Sequence, residues 1–213
     1  ILDTLLMGDR EWRSDMKQIS EKRLSDYMAE QIADEILSGR IEGGSQLKQE
    51  ELAETFQASR IPIREAFQIL ESQGLIVRLA TRRIYVTEMG ETDISLIYDT
   101  IGEIVKKAWD SIRQSEQWEE KKLLFMQQTE DGRTFAEAIY DCLDNVYLKK
   151  LMQNAQEGYV RFAWKLTEKK QEINAAQEKT ISAMQAGKGA SDEITDYYML
   201  LAEAVNKERR KNR

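Results

Sequence analysis

The sequence contains no histidine, and that absence removes several chemistries at once. Without imidazole no Ser–His or Cys–His nucleophile can be assembled, and the commonest metal ligand is missing. A hydrolase would have to work with carboxylates or lysines alone. No glycine-rich phosphate loop is present either, so an enzyme is not expected. A single cysteine, Cys142, excludes an intrachain disulfide and fits a cytoplasmic protein. No run approaches the roughly 18 continuous apolar residues of a membrane span. The opening ILDTLLMGDREW is too short and too acidic for a secretory leader. Neither a membrane span nor a membrane partner is expected.

What is present favours helices. The 213 residues are 32% charged and only 8% aromatic, with one proline, and are rich in Ala, Glu, Lys, Gln, Leu and Ile. A net charge of −7 looks wrong for a nucleic-acid binder. Phosphate contact needs a basic face, however, and not a basic chain. Between Ser59 and Arg83 five arginines (60, 64, 78, 82, 83) stand against two glutamates, Glu65 and Glu71. The acid lies elsewhere.

Along the chain, residues 1–14 read as an arm with an apolar cluster at Leu2, Leu5, Leu6 and Met7. Residues 15–88 read as a first domain. Leu24, Tyr27, Met28, Ile32 and Ile36 repeat at helical spacing up to Gly39, and RIEGGSQL is a turn. A short helix over about 48–56 buries Leu52, Ala53 and Phe56. Then comes ASRIPIREAFQILESQG, residues 58–74, with Ser59 as N-cap and Pro62 in the first turn, where its missing N–H costs nothing. Ile63, Ala66, Phe67 and Leu70 form the buried stripe. LIVRL and IYVTE alternate as two short strands around the basic tip ATRR. Helix, short helix, turn, helix and two-stranded hairpin make a winged helix-turn-helix.

In that fold the second helix of the motif enters the major groove with its N-terminal residues toward base edges. Arg60 and Arg64, one turn apart, project from one side. A planar guanidinium pairs bidentately with guanine or phosphate oxygens. The wing arginines would follow the backbone or reach the minor groove.

The stretch ILSGRIEGGSQLKQEELAETFQASRIPIREAFQILESQGLIVR resembles the DNA-binding domain of the GntR family of bacterial transcription regulators. The features that carry it are the LA pair on the second helix, SR-x-P-I-RE-A on the recognition helix and the GL before the wing. The resemblance covers about residues 20–88 and implies DNA contacts from the recognition helix and wing. The expected DNA-facing set is Ser59, Arg60, Ile61, Pro62 and Arg64 with Thr81, Arg82 and Arg83. Thr81 departs from the glycine the family often carries in its wing.

Residues 89–213 read as helices alone, over about 94–112, 117–128, 133–144, 146–167, 170–187 and 191–210, an all-helical bundle. The layout resembles the FCD-type effector domain of the FadR subfamily, chiefly through FAEAIYDCLDN and TISAMQAGK. Many such domains hold a metal through one Asp and three His. Here those positions fall at Gly132, Ala136 and Gln177, beside Asp131, so no metal or other cofactor is expected. The bundle would instead hold a small organic effector of carboxylate or acyl type. Arg133, Tyr140, Tyr159, Arg161 and Trp164 are its candidate anchors, although a flanking arginine that snorkels to water is the commoner case. The resemblance implies a cytoplasmic homodimeric repressor on a palindromic operator in double-stranded DNA. The alternative is a winged-helix protein-interaction module with no effector.

Overall fold

A computed structural model describes residues 24–166 and 169–212. The expected arm at 1–14 lies outside the described residues. By packing, the described chain forms two units. One runs up to Met89 and also takes in the segment from Glu208 onward; the other spans Gly90–Lys207.

The first unit is built from α1 (Leu24–Leu37), β1 (Gln46–Leu47), α2 (Gln49–Thr55), α3 (Arg60–Ser72), β2 (Ile76–Arg78) and β3 (Ile84–Val86). The winged helix-turn-helix is therefore in place. On α1 the buried face is Met28, Ala29, Ile32, Ala33, Ile36 and Leu37. Leu24, expected inside, is exposed and Tyr27 is half-buried. α1 and α2 both pack on α3, whose Ile63, Ala66, Phe67 and Leu70 are fully enclosed.

The sheet has three strands in the order β1-β3-β2, all antiparallel. Arg78 pairs with Ile84, and Leu47 meets the same residue from the other side. The two-residue β1 was not legible in the sequence. It follows a turn in which the Gly44 N–H donates to Val86 O, and two residues give no alternation to detect.

Among the described residues of this unit, two non-glycine residues take left-handed backbone. Gln57 (φ 50°) makes the corner between α2 and α3, and Arg82 (φ 63°) makes the corner of the wing. The sequence draws attention to Thr81 in the wing, but the residue that needs glycine-like freedom is its neighbour. The wing closes through Arg82 N–H to Leu79 O (2.8 Å) and Leu79 N–H to Arg83 O (2.9 Å).

The second unit is all helical: α4 (Glu91–Arg113), α5 (Trp118–Glu130), α6 (Phe135–Cys142), α7 (Val146–Ala155), α8 (Arg161–Lys165), α9 (Lys170–Gln185) and α10 (Ser191–Lys211). The last turn of α10 belongs to the first unit. A π-helical turn, Gln156–Val160, joins α7 to α8 where the periodicity predicts one helix over 146–167. α6 begins with a reciprocal capping box between Thr134 and Glu137. The core is aromatic: Trp109 lies against Trp118 and Phe125, and Phe135 against Tyr197 and Tyr198. α4 and α10 approach closely at Gly102, where a Cβ would stand 3.2 Å from the Tyr198 ring.

Candidate nucleic-acid interface

Helix α3 separates its two faces cleanly. The same helical turns that bury Ile63, Ala66, Phe67 and Leu70 leave Arg60, Ile61 and Arg64 exposed, and Pro62 is half-buried between them. Ile61 is 60% exposed, which is unusual for isoleucine and places an apolar contact beside the two cations. Ser59 occupies the N-cap position with extended backbone, but its hydroxyl makes no capping hydrogen bond. That corrects the capping role expected of it. Its position at the open end of the helix is unchanged. The first-turn N–H groups there favour an anion.

On the wing, Thr81, Arg82 and Arg83 are all exposed at the tip. Left-handed Arg82 turns the chain so that two consecutive guanidinium groups stand at the hairpin corner. Arg78, lower on β2, is engaged by Glu71 of α3 at 3.4 Å. The basic residues thus divide into two kinds. Arg64, Arg82 and Arg83 form no ion pair among the described residues, whereas Arg78 has a carboxylate partner within the domain.

Arg60 belongs with the second kind, a feature the sequence did not announce. Its Nη1 lies 3.2 Å from Oε1 of Glu50 in the first turn of α2. The next residue, Glu51, pairs instead with Lys48 at 2.5 Å. Glu50 and Arg60 are ten positions apart, and the α2–α3 corner at Gln57 brings them together.

In the helical unit the five expected anchors fall into two groups. Arg133 pairs with Asp141, and the Lys149 ammonium sits 5.1 Å from the centre of the Tyr140 ring. Tyr159, Arg161 and Trp164 follow on the π turn and α8. Arg161 Nε donates to Glu157 O at 2.9 Å. Trp164 Nε1 donates to the Tyr197 hydroxyl at 2.6 Å.

Tyr159 is enclosed, and burial pushes its phenol up to about 12. Its carbonyl accepts the Tyr98 hydroxyl at 2.6 Å. A π turn widens the hydrogen-bond ring by one residue and disturbs the i→i−4 ladder around it, and Tyr98 supplies a donor there. Tyr98, Tyr197 and Tyr198 thus join Tyr159 and Trp164 in one polar-aromatic cluster. Nothing in their spacing marked them as more than core.

Gly132 and Ala136 have no side-chain donor atoms, and Gln177 offers a single amide. The positions that the subsidiary resemblance assigns to metal ligands therefore do not fit a metal. Among the described residues no group of three or more Cys, Asp or Glu could hold one. No helix there is long and apolar enough to cross a membrane.

Comparison with known proteins bears on the first unit. Residues 24–86 match the family described as bacterial regulatory proteins, gntR family. A gluconate operon transcriptional repressor of Bacillus licheniformis is 45% identical over 64 residues, which are 30% of this chain and 26% of that protein. The gluconate operon transcriptional repressor of Bacillus subtilis (strain 168) is 36% identical over 83 residues, 39% of this chain and 34% of that protein. The chain thus matches about a quarter to a third of the length of these relatives. A solved structure of Lar, which controls the expression of the Listeria monocytogenes agr system, covers 87% of this chain and 98% of its own at 18% identity and a TM-score of 0.49. Residues 24–86 thus form a winged helix-turn-helix that matches the gntR family description.

Proposed function

We propose that this chain is a sequence-specific DNA-binding transcription regulator, a repressor and not an enzyme, that works in the cytoplasm as a homodimer. One observation carries the reading. A GntR-type recognition helix buries its apolar stripe and turns Arg60 and Arg64 to solvent at its N-terminal edge. Two such helices would enter successive major grooves of a palindromic operator. Ser59, Arg60, Ile61, Pro62 and Arg64 would meet base edges and the adjoining backbone. Thr81, Arg82 and Arg83 would grip the flanking phosphates.

The helical unit is read as an FCD-like effector domain without the metal. Its ligand would be a small organic molecule with a carboxylate or acyl group. Arg161 would supply the cation, Tyr159 an enclosed aromatic ring, and Trp164 a half-buried indole whose N–H is fixed on the Tyr197 hydroxyl. An effector can change operator affinity only by binding the DNA-competent and incompetent arrangements unequally.

The test is binding of the full chain to duplexes that it selects from a randomised library, measured by fluorescence anisotropy over a salt series. The Arg60→Ala, Arg64→Ala double variant is expected to lose at least a hundredfold in affinity and to flatten the salt slope. Unchanged affinity would remove the assignment of this face. A wild-type chain that binds without a steep salt dependence, or not at all, would favour a protein-interaction module.

A further inference from the structure

The Glu50–Arg60 pair is poorly explained by stability. The two side chains are 56% and 69% exposed, and a solvated pair of this kind contributes well under about 1 kcal/mol. Its effect belongs to the surface on which it stands. Arg60 is the first residue of the recognition helix, and the carboxylate comes from the other helix of the motif.

We infer that Glu50 is a specificity-determining positioning residue that acts through Arg60. The inference rests on the reading of Arg60 as DNA-facing. Glu50 holds Nη1, and this leaves the Nε–Nη2 edge of the guanidinium as a free-standing fork. Such an edge matches O6 and N7 of guanine in the major groove. An arginine without a fixed partner swings as readily to a phosphate, which all sequences offer. The carboxylate also repels phosphate at the rim of the motif. Glu50 therefore weakens non-specific engagement while it supports base readout, and specificity is the difference between the two. Lys48 neutralises the adjacent Glu51 and leaves Glu50 as the acid directed to Arg60.

The experiment takes the full-length wild-type chain and its Glu50→Gln, Arg60→Ala and doubly substituted forms. The probes are a 20-bp duplex selected by the wild type from a randomised library, all its single base-pair variants, and a random duplex pool. Arg60→Ala should flatten the preference at one or two base pairs in each half-site. Glu50→Gln should weaken the preference at those same base pairs by threefold or more and leave the other positions within twofold. It should raise affinity for the random pool by about two- to fivefold and steepen its salt slope by about one phosphate. On the Arg60→Ala background Glu50→Gln should change no base preference. Unchanged melting of Glu50→Gln separates this role from a structural one.

An unaltered preference profile in Glu50→Gln overturns the inference. So does an equal effect of Glu50→Gln with and without the Arg60 side chain, which would make Glu50 a direct contact. An Arg60→Ala variant with the wild-type profile, or a wild type that enriches no sequence, overturns the DNA-facing reading of Arg60 and this inference with it.

Discussion

Arg209 Nη2 donates to the carbonyl of Met89 at 2.8 Å across 120 positions of sequence. The same guanidinium reaches Ile36 O (3.0 Å) and Leu37 O (3.2 Å) through Nη1, and Asn212 Nδ2 reaches Ser38 O (3.0 Å). One buried cation thus serves the open carbonyl end of α1, where the helix dipole favours it, and the chain just beyond β3. Gly39, left-handed at φ 82°, follows the end of α1, and a Cβ there would stand 3.7 Å from the Arg209 stem. Arg209→Ala would leave three carbonyls without this donor, at about 1–3 kcal/mol for each that stays dry. We expect a drop of several degrees in the melting of the winged domain, with only partial recovery in Arg209→Lys, since an ammonium lacks the planar fork. Differential scanning fluorimetry of the three proteins checks this.

The wing corner permits a test that separates fold from contact. Arg82 holds a left-handed backbone that costs an L-residue about 1–2 kcal/mol. Arg82→Gly should raise stability by up to that amount in urea unfolding and weaken operator binding about tenfold. Arg82→Ala should weaken binding equally without the gain in stability.

A related outcome is expected at the corner of the motif. Gln57→Gly relieves φ 50° and should stabilise the domain by about 1 kcal/mol. Operator affinity should stay within twofold, because Gln57 is not among the proposed DNA contacts. A fall in melting temperature would show that the Gln57 side chain is needed there.

In the helical unit, Tyr98→Phe removes only an oxygen. It should cost about 1–3 kcal/mol in chemical unfolding, because the Tyr159 carbonyl at the π turn loses a buried donor. Gly102→Val would drive a branched side chain into the Tyr198 ring and should cost about 2 kcal/mol or more.

The pH profile has a predictable shape. With no histidine, stability and operator affinity should be nearly flat between pH 6 and 8. Tyr159 is pushed up to about 12 by burial, and burial also raises the fully enclosed Tyr98 and Tyr198 well above the ordinary phenol range. The folded chain then keeps phenol protons that the unfolded chain has lost. Stability from this source is fully present below about pH 10, the unfolded phenol value, and is lost as pH climbs through the folded values. Circular dichroism against pH should show a plateau and then alkaline unfolding above pH 10. The Cys142 thiol, raised to about 11 by burial, should alkylate slowly at pH 8.

The sequence carried the winged fold because its signals are local. Ile63, Ala66, Phe67 and Leu70 mark a helix within one window, and Gly74 ends it. The basic edge was legible for the same reason. Glu50 was not, since its partner is fixed by the α2–α3 corner and not by spacing. The π turn escaped because one added residue per turn leaves Met152, Tyr159 and Phe162 on an apparently helical stripe. Arg209 lies within the basic run KERRKNR and nothing in that run marks it for burial. Its burial depends on backbone carbonyls at 36, 37 and 89, and a carbonyl has no sequence signature.

The reach of Arg209 also sets an order on biosynthesis. Residues 24–89 leave the ribosome long before residue 209 does, so the nascent winged domain exists for a time without the donor that closes the end of α1. A chain released early would carry Arg60, Arg64 and the wing on a domain still missing that donor. Completion of the hydrogen bonding at the end of α1 therefore waits on translation of the helical segment that precedes Arg209.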